Sequence, residues 1–188
     1  MKLLAISGSA RAASTNTALL QTLAEARPPD VEMEIIHNLH CLPVFSPDLE
    51  GPHTPSTVRD FITAIDQADG VIISSPEYVR AIPGGLKNAI DWLVSGEVII
   101  DKPVALIHAS HRGDDMLASL RLVLGTVTSA FQQQVFQRFP LVSKSPEEVR
   151  SFLLEKENTE LLQAYVVEFT NAIRRLSSAV EPSISEDC

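Results

Sequence analysis

The sequence predicts an α/β fold, a parallel sheet wrapped by helices on both faces, and three observations predict it. Short continuous apolar runs recur along the chain, at Lys2–Ile6, Val71–Ile73 and Val104–Ile107, as expected for strands covered on both sides. Between them lie segments with apolar residues at helical spacing. Strand and helix alternate about five times, which is the pattern of a chain that crosses over through a helix after each parallel strand.

Taken in order, Lys2–Ile6 is the first strand. Leu19, Leu20 and Leu23 mark the first helix, stopped by Pro28-Pro29, because proline cannot continue the hydrogen-bond ladder. Val31-Glu-Met-Glu-Ile35 alternates apolar and charged residues and reads as an edge strand with one wetter face. Val58, Phe61, Ile62 and Ile65 form the second helix, with Ser56 as its predicted N-cap. After the strand at Val71–Ile73 the third helix starts at Leu86 and continues through Ala89, Ile90 and Leu93. Val104–Ile107 precedes a fourth helix marked by Leu117, Leu120, Val123, Leu124 and Val127. Val135–Val142, interrupted by Pro140, is assigned to the opposite edge. The last stripe runs from Leu161 through Tyr165, Val166 and Phe169 to Leu176. Its apolar residues are core. Residues 1–176 therefore read as one domain, and 177–188 as a flexible acidic tail.

With the second strand at one edge and the first, third and fourth interior, the order is 2-1-3-4-5, the flavodoxin-like three-layer sandwich, a five-stranded parallel sheet. A ligand crevice belongs at the switch point between strands one and three. The loops Ser7–Thr17, Ser74–Gly84 and Ala109–Asp115 converge there.

The chain has 188 residues, 45% of them hydrophobic, enough for one sizeable core. Its formal charge of −9 disfavours nucleic acid and anionic membrane as partners, since both repel such a surface. No apolar run is long enough for a membrane span or a signal peptide, and Cys41 and Cys188 build neither a disulfide framework nor a zinc site. These features together lead to the expectation of a cytoplasmic protein without membrane insertion. His108 and His111 lack the further ligands that a metal would require.

The first loop, Ser7-Gly-Ser-Ala-Arg-Ala-Ala-Ser-Thr-Asn-Thr17, joins a buried strand to a helix and offers hydroxyls, an amide, free backbone N–H groups and Arg11. A helix N-terminus carries partial positive charge and unpaired donors, so this is a phosphate site in kind. Neither the Walker spacing nor Gly-x-Gly-x-x-Gly is present, which disfavours P-loop and dinucleotide-binding folds. No Gly-x-Ser-x-Gly elbow marks a hydrolase. In the second loop Pro76 and Pro83 stiffen both ends, while Gly84 and Gly85 permit close approach of the backbone.

Gly8-Ser9-Ala10-Arg11 with Ser14, Asn16 and Leu19 resembles the phosphate loop of the NAD(P)H-dependent FMN reductases, flavodoxin-like quinone and chromate reductases. Pro76-Glu77-Tyr78, with Pro83-Gly84-Gly85-Leu86-Lys87-Asn88-Ala89-Ile90-Asp91-Trp92, resembles their flavin loop. The resemblance covers roughly residues 1–175.

It implies that Ser9, Arg11, Ser14, Asn16 and Thr17 hold the FMN phosphate. Pro76, Glu77, Tyr78 and Val79 border the flavin, Ser110 belongs to the same cofactor site, and Lys87, Asn88, Asp91 and Trp92 brace the loop and helix. The implied function is hydride transfer from NADPH or NADH to FMN and onward to a small-molecule electron acceptor such as a quinone. The implied assembly is a homodimer or homotetramer. No side chain is assigned as an obligatory acid or base, since the cofactor carries the chemistry. Two departures stand out: Val79-Arg80 where the family usually has Asn after the Tyr, and Ser110-His111-Arg112 where relatives are Gly-rich. Arg80 is then a candidate reader of the NADPH 2′-phosphate. The rival readings are a flavodoxin-type electron carrier without nicotinamide activity, which suits the acidic surface but usually lacks Arg11 and the Pro-Glu-Tyr block, and a non-catalytic phosphate-binding module.

Overall fold

In the computed structural model, which describes residues 1–180, five parallel strands form one sheet in the order β2-β1-β3-β4-β5. They are β1 (Lys2–Ser7), β2 (Glu32–Ile36), β3 (Gly70–Ser74), β4 (Val104–His108) and β5 (Phe131–Arg138). The helices are α1 (Thr15–Ala26), α2 (Ser56–Gln67), α3 (Gly84–Asp91), α4 (Asp114–Val127), α5 (Pro146–Leu153) and α6 (Lys156–Val180).

Period-two alternation in the strands divides the core into two layers. Leu3, Ala5, Ile72, Ala105 and Ile107 face one way and pack with α1, α5 and α6. Leu4, Ile6, Val71, Ile73, Val104 and Leu106 face the other and pack with α2, α3 and α4. β3 and β4 are buried throughout, and β2 is half exposed, as its Glu-Met-Glu pattern requires. This is the predicted three-layer sandwich.

Several boundaries differ from the expectations. α2 is preceded by Pro55 at the N-cap position, with no side-chain cap bond, and Ser56 is its first residue. α3 begins at Gly84, two residues before Leu86, directly after Pro83. β5 starts at Phe131 and ends before Pro140; its pairing with β4 is irregular between Val104 and Leu106. α5 has no counterpart in the periodicity reading. It is opened by a reciprocal capping box between Ser145 and Glu148 with Pro146 in the first turn. α6 continues through residues 177–180, and 181–188, the remainder of the expected acidic tail, lie outside the described residues.

Between β2 and α2 the chain makes three 3₁₀ turns, Leu39–Cys41, Pro47–Leu49 and Gly51–His53. This connection is tied to α3: the Asn88 amide accepts from Phe45 N–H at 2.8 Å and donates to Pro43 C=O at 2.9 Å. Trp92 Nε1–H donates to the same carbonyl at 2.8 Å, and the Trp92 and Phe45 rings meet edge to face. Lys87 pairs with Asp91 along α3.

Candidate functional site

The strands β1, β3, β4 and β5 all end at one edge of the sheet, and a cleft of about 320 Å³ opens there. It reaches the switch point between β1 and β3, where the crossovers diverge to opposite faces. Thr15, Asn16, Ser75, Pro76, Glu77 and Ser110 are among its lining residues, together with His108, Arg112 and Gly113 from the β4–α4 turn and Val142-Ser143 after β5. A volume in this range suits a cofactor or small ligand.

The switch point is pinned by buried polar groups. Ser7 and Ser74 are register partners at the ends of β1 and β3, and both are fully buried. Ser7 Oγ lies 2.9 Å from Thr17 Oγ1, and Ser74 Oγ donates to Asn16 Oδ1 at 2.9 Å, so the strand ends hold the first turn of α1 from below. Ser14 is the N-cap: its hydroxyl accepts from Thr17 N–H at 3.2 Å. Of the four N–H groups that open a helix without an intrahelical acceptor, those of Ser14, Thr15 and Asn16 remain. Thr15 and Asn16 line the cleft. Ser9 is buried and accepts from Arg11 N–H at 3.3 Å, while the Arg11 side chain is exposed. Gly8 donates to Ser74 C=O at 2.8 Å, and a Cβ there would lie 2.6 Å from Ser75 Oγ. Only glycine lets the two loops approach so closely.

The second loop folds back as a tight hairpin. Tyr78 and Ala81 exchange both backbone hydrogen bonds across Val79-Arg80, whose φ angles are 53° and 60°. Positive φ at both central positions is the type I′ pattern, which favours Asn-Gly. Here a β-branched residue occupies the first position, and Val79 is 98% exposed. Two bonds fasten this hairpin to the start of α4. Glu77 Oε2 accepts from Met116 N–H at 3.0 Å, and Arg80 Nε donates to Asp115 Oδ2 at 2.5 Å.

His108 ends β4 and is 1% exposed. Its Nε2 lies 2.6 Å from the Arg112 carbonyl; a carbonyl only accepts, so Nε2 carries the proton. Burial lowers the His108 pKa from its ordinary value. The Arg138 cation acts in the same direction, and the Arg112 carbonyl, Asp114 and Glu77 oppose it. Arg138 is bonded to Asp114 at 2.5 Å and holds that carboxyl below its usual value.

Of the residues expected at the site, Asn16, Pro76, Glu77 and Ser110 line the cleft together. Ser14, Asn16 and Thr17 have side-chain oxygens engaged within the protein, Arg11 stands exposed, and Tyr78 and Val79 sit on the outer hairpin. Arg80, the candidate phosphate reader, is paired with Asp115. Sequence reasoning did not single out Ser75, His108, Arg112, Gly113, Val142 and Ser143 as individual site residues. For Gly113 the signal was present: a glycine one residue before a helix, in the left-handed region at φ 99°.

The family described as NADPH-dependent FMN reductase has a model that matches residues 1–137. The quinone reductase of Escherichia coli (strain K12) is 36% identical over 116 residues, 60% of this chain and 61% of that protein. The chain thus spans about three-fifths of that relative's length. The NADH-dependent flavin reductase subunit 2 of Lactobacillus johnsonii is 32% identical over 159 residues, 85% of this chain and 73% of that one. Among solved structures, FerB, a flavoenzyme NAD(P)H:(acceptor) oxidoreductase from Paracoccus denitrificans, superposes with a TM-score of 0.77 at 24% identity. The match covers 93% of this chain and 97% of FerB. At that identity the likeness establishes the fold.

Proposed function

The chain belongs to the NADPH-dependent FMN reductase family, and on that premise we propose that it is an FMN-dependent oxidoreductase that takes hydride from NADPH or NADH and passes electrons to a second small acceptor such as a quinone. The observation that carries this reading is the cleft at the switch point, with the open N-terminus of α1 at one end and the Ser75–Glu77 segment beside it. The donor set fits the phosphate of FMN. Thr15 and Asn16 N–H groups are unpaired in the helix, the helix dipole favours an anion there, and Arg11 adds an exposed cation.

Within this reading the expected ligand set is refined. Backbone N–H groups of Thr15 and Asn16 and the Arg11 guanidinium bind the phosphate. Ser14, Asn16 and Thr17 side chains hold the helix start in place for them. Ser9 orders the backbone before Arg11. Pro76 and Glu77 form the wall against which the ring lies, and Ser110 with the β4–α4 turn bounds its far end. Tyr78 and Val79 stand at the rim and take part in substrate access or subunit contact. Bound FMN supplies the hydride chemistry; the chain orients the ring, narrows access of water, and supplies fixed dipoles.

The proposal extends to a homodimer or homotetramer, the assembly that the family resemblance implies. A cytoplasmic location accords with the absence, among the described residues, of any helix long and apolar enough to cross a membrane. Steady-state assay is the test against an electron carrier. Continuous NADPH or NADH consumption on adding a quinone supports the reductase; an FMN-loaded protein that exchanges electrons only with protein partners contradicts it.

A further inference from the structure

The β4–α4 turn is fixed more firmly than an ordinary surface loop. Arg112 N–H donates to Ser110 Oγ at 2.9 Å, and His108 Nε2–H donates to Arg112 C=O at 2.6 Å. Gly113 then turns with φ 99°, and a Cβ there would lie 2.9 Å from His108 Nε2. Both backbone polar groups of Arg112 are therefore bonded, one of them to a histidine inside the core. The Arg112 side chain is exposed and lines the cleft.

Of the nearby carboxylates, Glu77 accepts a backbone N–H from Met116, and the two at the start of α4 are matched by arginines. Arg80 pairs with Asp115 and Arg138 with Asp114, each at 2.5 Å. Among the described residues, the Arg112 guanidinium has neither an ion-pair nor a hydrogen-bond partner. In a chain of net charge −9, a cation held at a cleft whose nearby carboxylates already have partners is suited to an anionic ligand. Its position narrows the choice. β3 separates β1 from β4, so the turn lies two strand spacings, roughly 10 Å, from the α1 end that suits the FMN phosphate. It borders instead the region beside Pro76 and Glu77, where the two substrates would succeed one another. The reduced nicotinamide ring is uncharged and its phosphates lie beyond a ribose, so apart from the reduced flavin itself an anionic group at this point belongs to the acceptor.

We propose that Arg112 selects electron acceptors bearing a negative charge, such as a quinone carrying an ionised hydroxyl, carboxylate or sulfonate, and that His108 is the positioning residue for it. The inference rests on the reductase reading above. The quinone takes the two electrons and one proton of the hydride that NAD(P)H gives to FMN, and a second proton from solvent, to become the hydroquinone, while NAD(P)H leaves as NAD(P)⁺. Arg112 makes charge-assisted hydrogen bonds to the anionic substituent, which is unchanged.

The FMN-loaded, oxidised protein is titrated with 1,4-naphthoquinone-2-sulfonate and with 1,4-naphthoquinone, followed by flavin absorbance, and kcat/KM is measured for both with NADPH. Arg112→Gln should lower the preference for the sulfonate over the neutral quinone about tenfold in Kd and in kcat/KM. Arg112→Lys should recover part of it. His108→Gln, which keeps an N–H near the Nε2 position, should retain the preference, and His108→Phe should reduce it. Equal changes for both quinones would overturn the proposal. So would an effect confined to the KM for NADPH, which would assign Arg112 to a nucleotide phosphate, or a shifted FMN midpoint potential with the preference intact, which would assign it to the flavin itself. A wild-type protein that holds no FMN, or whose FMN is not reduced by NAD(P)H, would overturn the functional reading instead.

Discussion

In the proposed reading Arg11 is the residue on which the phosphate end of the cleft depends most, because Ser14, Asn16 and Thr17 are already engaged in holding α1. Arg11→Ala is expected to raise the Kd for FMN by about tenfold or more, the scale of a charged hydrogen bond; unchanged affinity in a titration would remove Arg11 from the site. Val79 carries a different cost. A β-branched residue at φ 53° sits where Asn or Gly is at ease, so Val79→Asn should stabilise the fold by about 1 kcal/mol, seen as a Tm higher by a few degrees. His108 ties stability to pH. Burial holds its folded pKa below the ordinary value, so between the two values the unfolded chain binds more protons. Stability is then complete above about pH 6.5 and is lost as pH falls below it, by at most about 1.4 kcal/mol per pH unit. Urea midpoints between pH 5 and 7 should fall less steeply for His108→Gln than for the wild type; superimposable curves would contradict this. The polar character of the first loop was legible in the sequence. Which of its groups face the cleft was not, since that follows from Ser7 and Ser74 meeting across β1 and β3 and drawing the side chains of Thr17 and Asn16 beneath the helix.

At the scale of elements, α3 links the loop after β3 to the connection between β2 and α2. Asn88 satisfies Phe45 N–H and Pro43 C=O together, and Trp92 shares the same carbonyl. Asn88→Ala leaves half-buried backbone groups without a partner and should lower stability by about 1–3 kcal/mol, measurable by urea denaturation; a change near zero would mean that water replaces the amide. The strands and five of the helices were legible because each carries one apolar period over its length. α5 was not, because only Val149 and Leu153 of its eight residues are buried. Its signature is the cap: Ser145, Pro146 and Glu148 spell a helix start before any stripe is visible. β5 began earlier than expected for a related reason. Gln132, Gln133 and Gln134 carry no apolar pattern, and pairing with β4 determines their conformation, including the irregularity after Val104.

For the whole molecule, strand order followed from wetness. One charged alternating strand had to lie at an edge, three apolar strands had to lie inside, and right-handed crossovers then left 2-1-3-4-5. That order brings the loops after β1, β3 and β4 to one edge, around the cleft that we propose serves two substrates in succession. Initial-rate kinetics are accordingly expected to be ping-pong, with parallel double-reciprocal plots for NADPH against a quinone; intersecting lines would mean that both substrates are held at once. The most direct measurement is anaerobic mixing of the FMN-loaded protein with NADPH and, separately, NADH, followed in the visible flavin band. At least one nucleotide should bleach the band no more slowly than turnover, and a quinone added afterwards should restore it. A bound flavin that neither nucleotide bleaches, or a protein that takes up no FMN, would contradict the assignment of this cleft to an NAD(P)H-dependent FMN reductase.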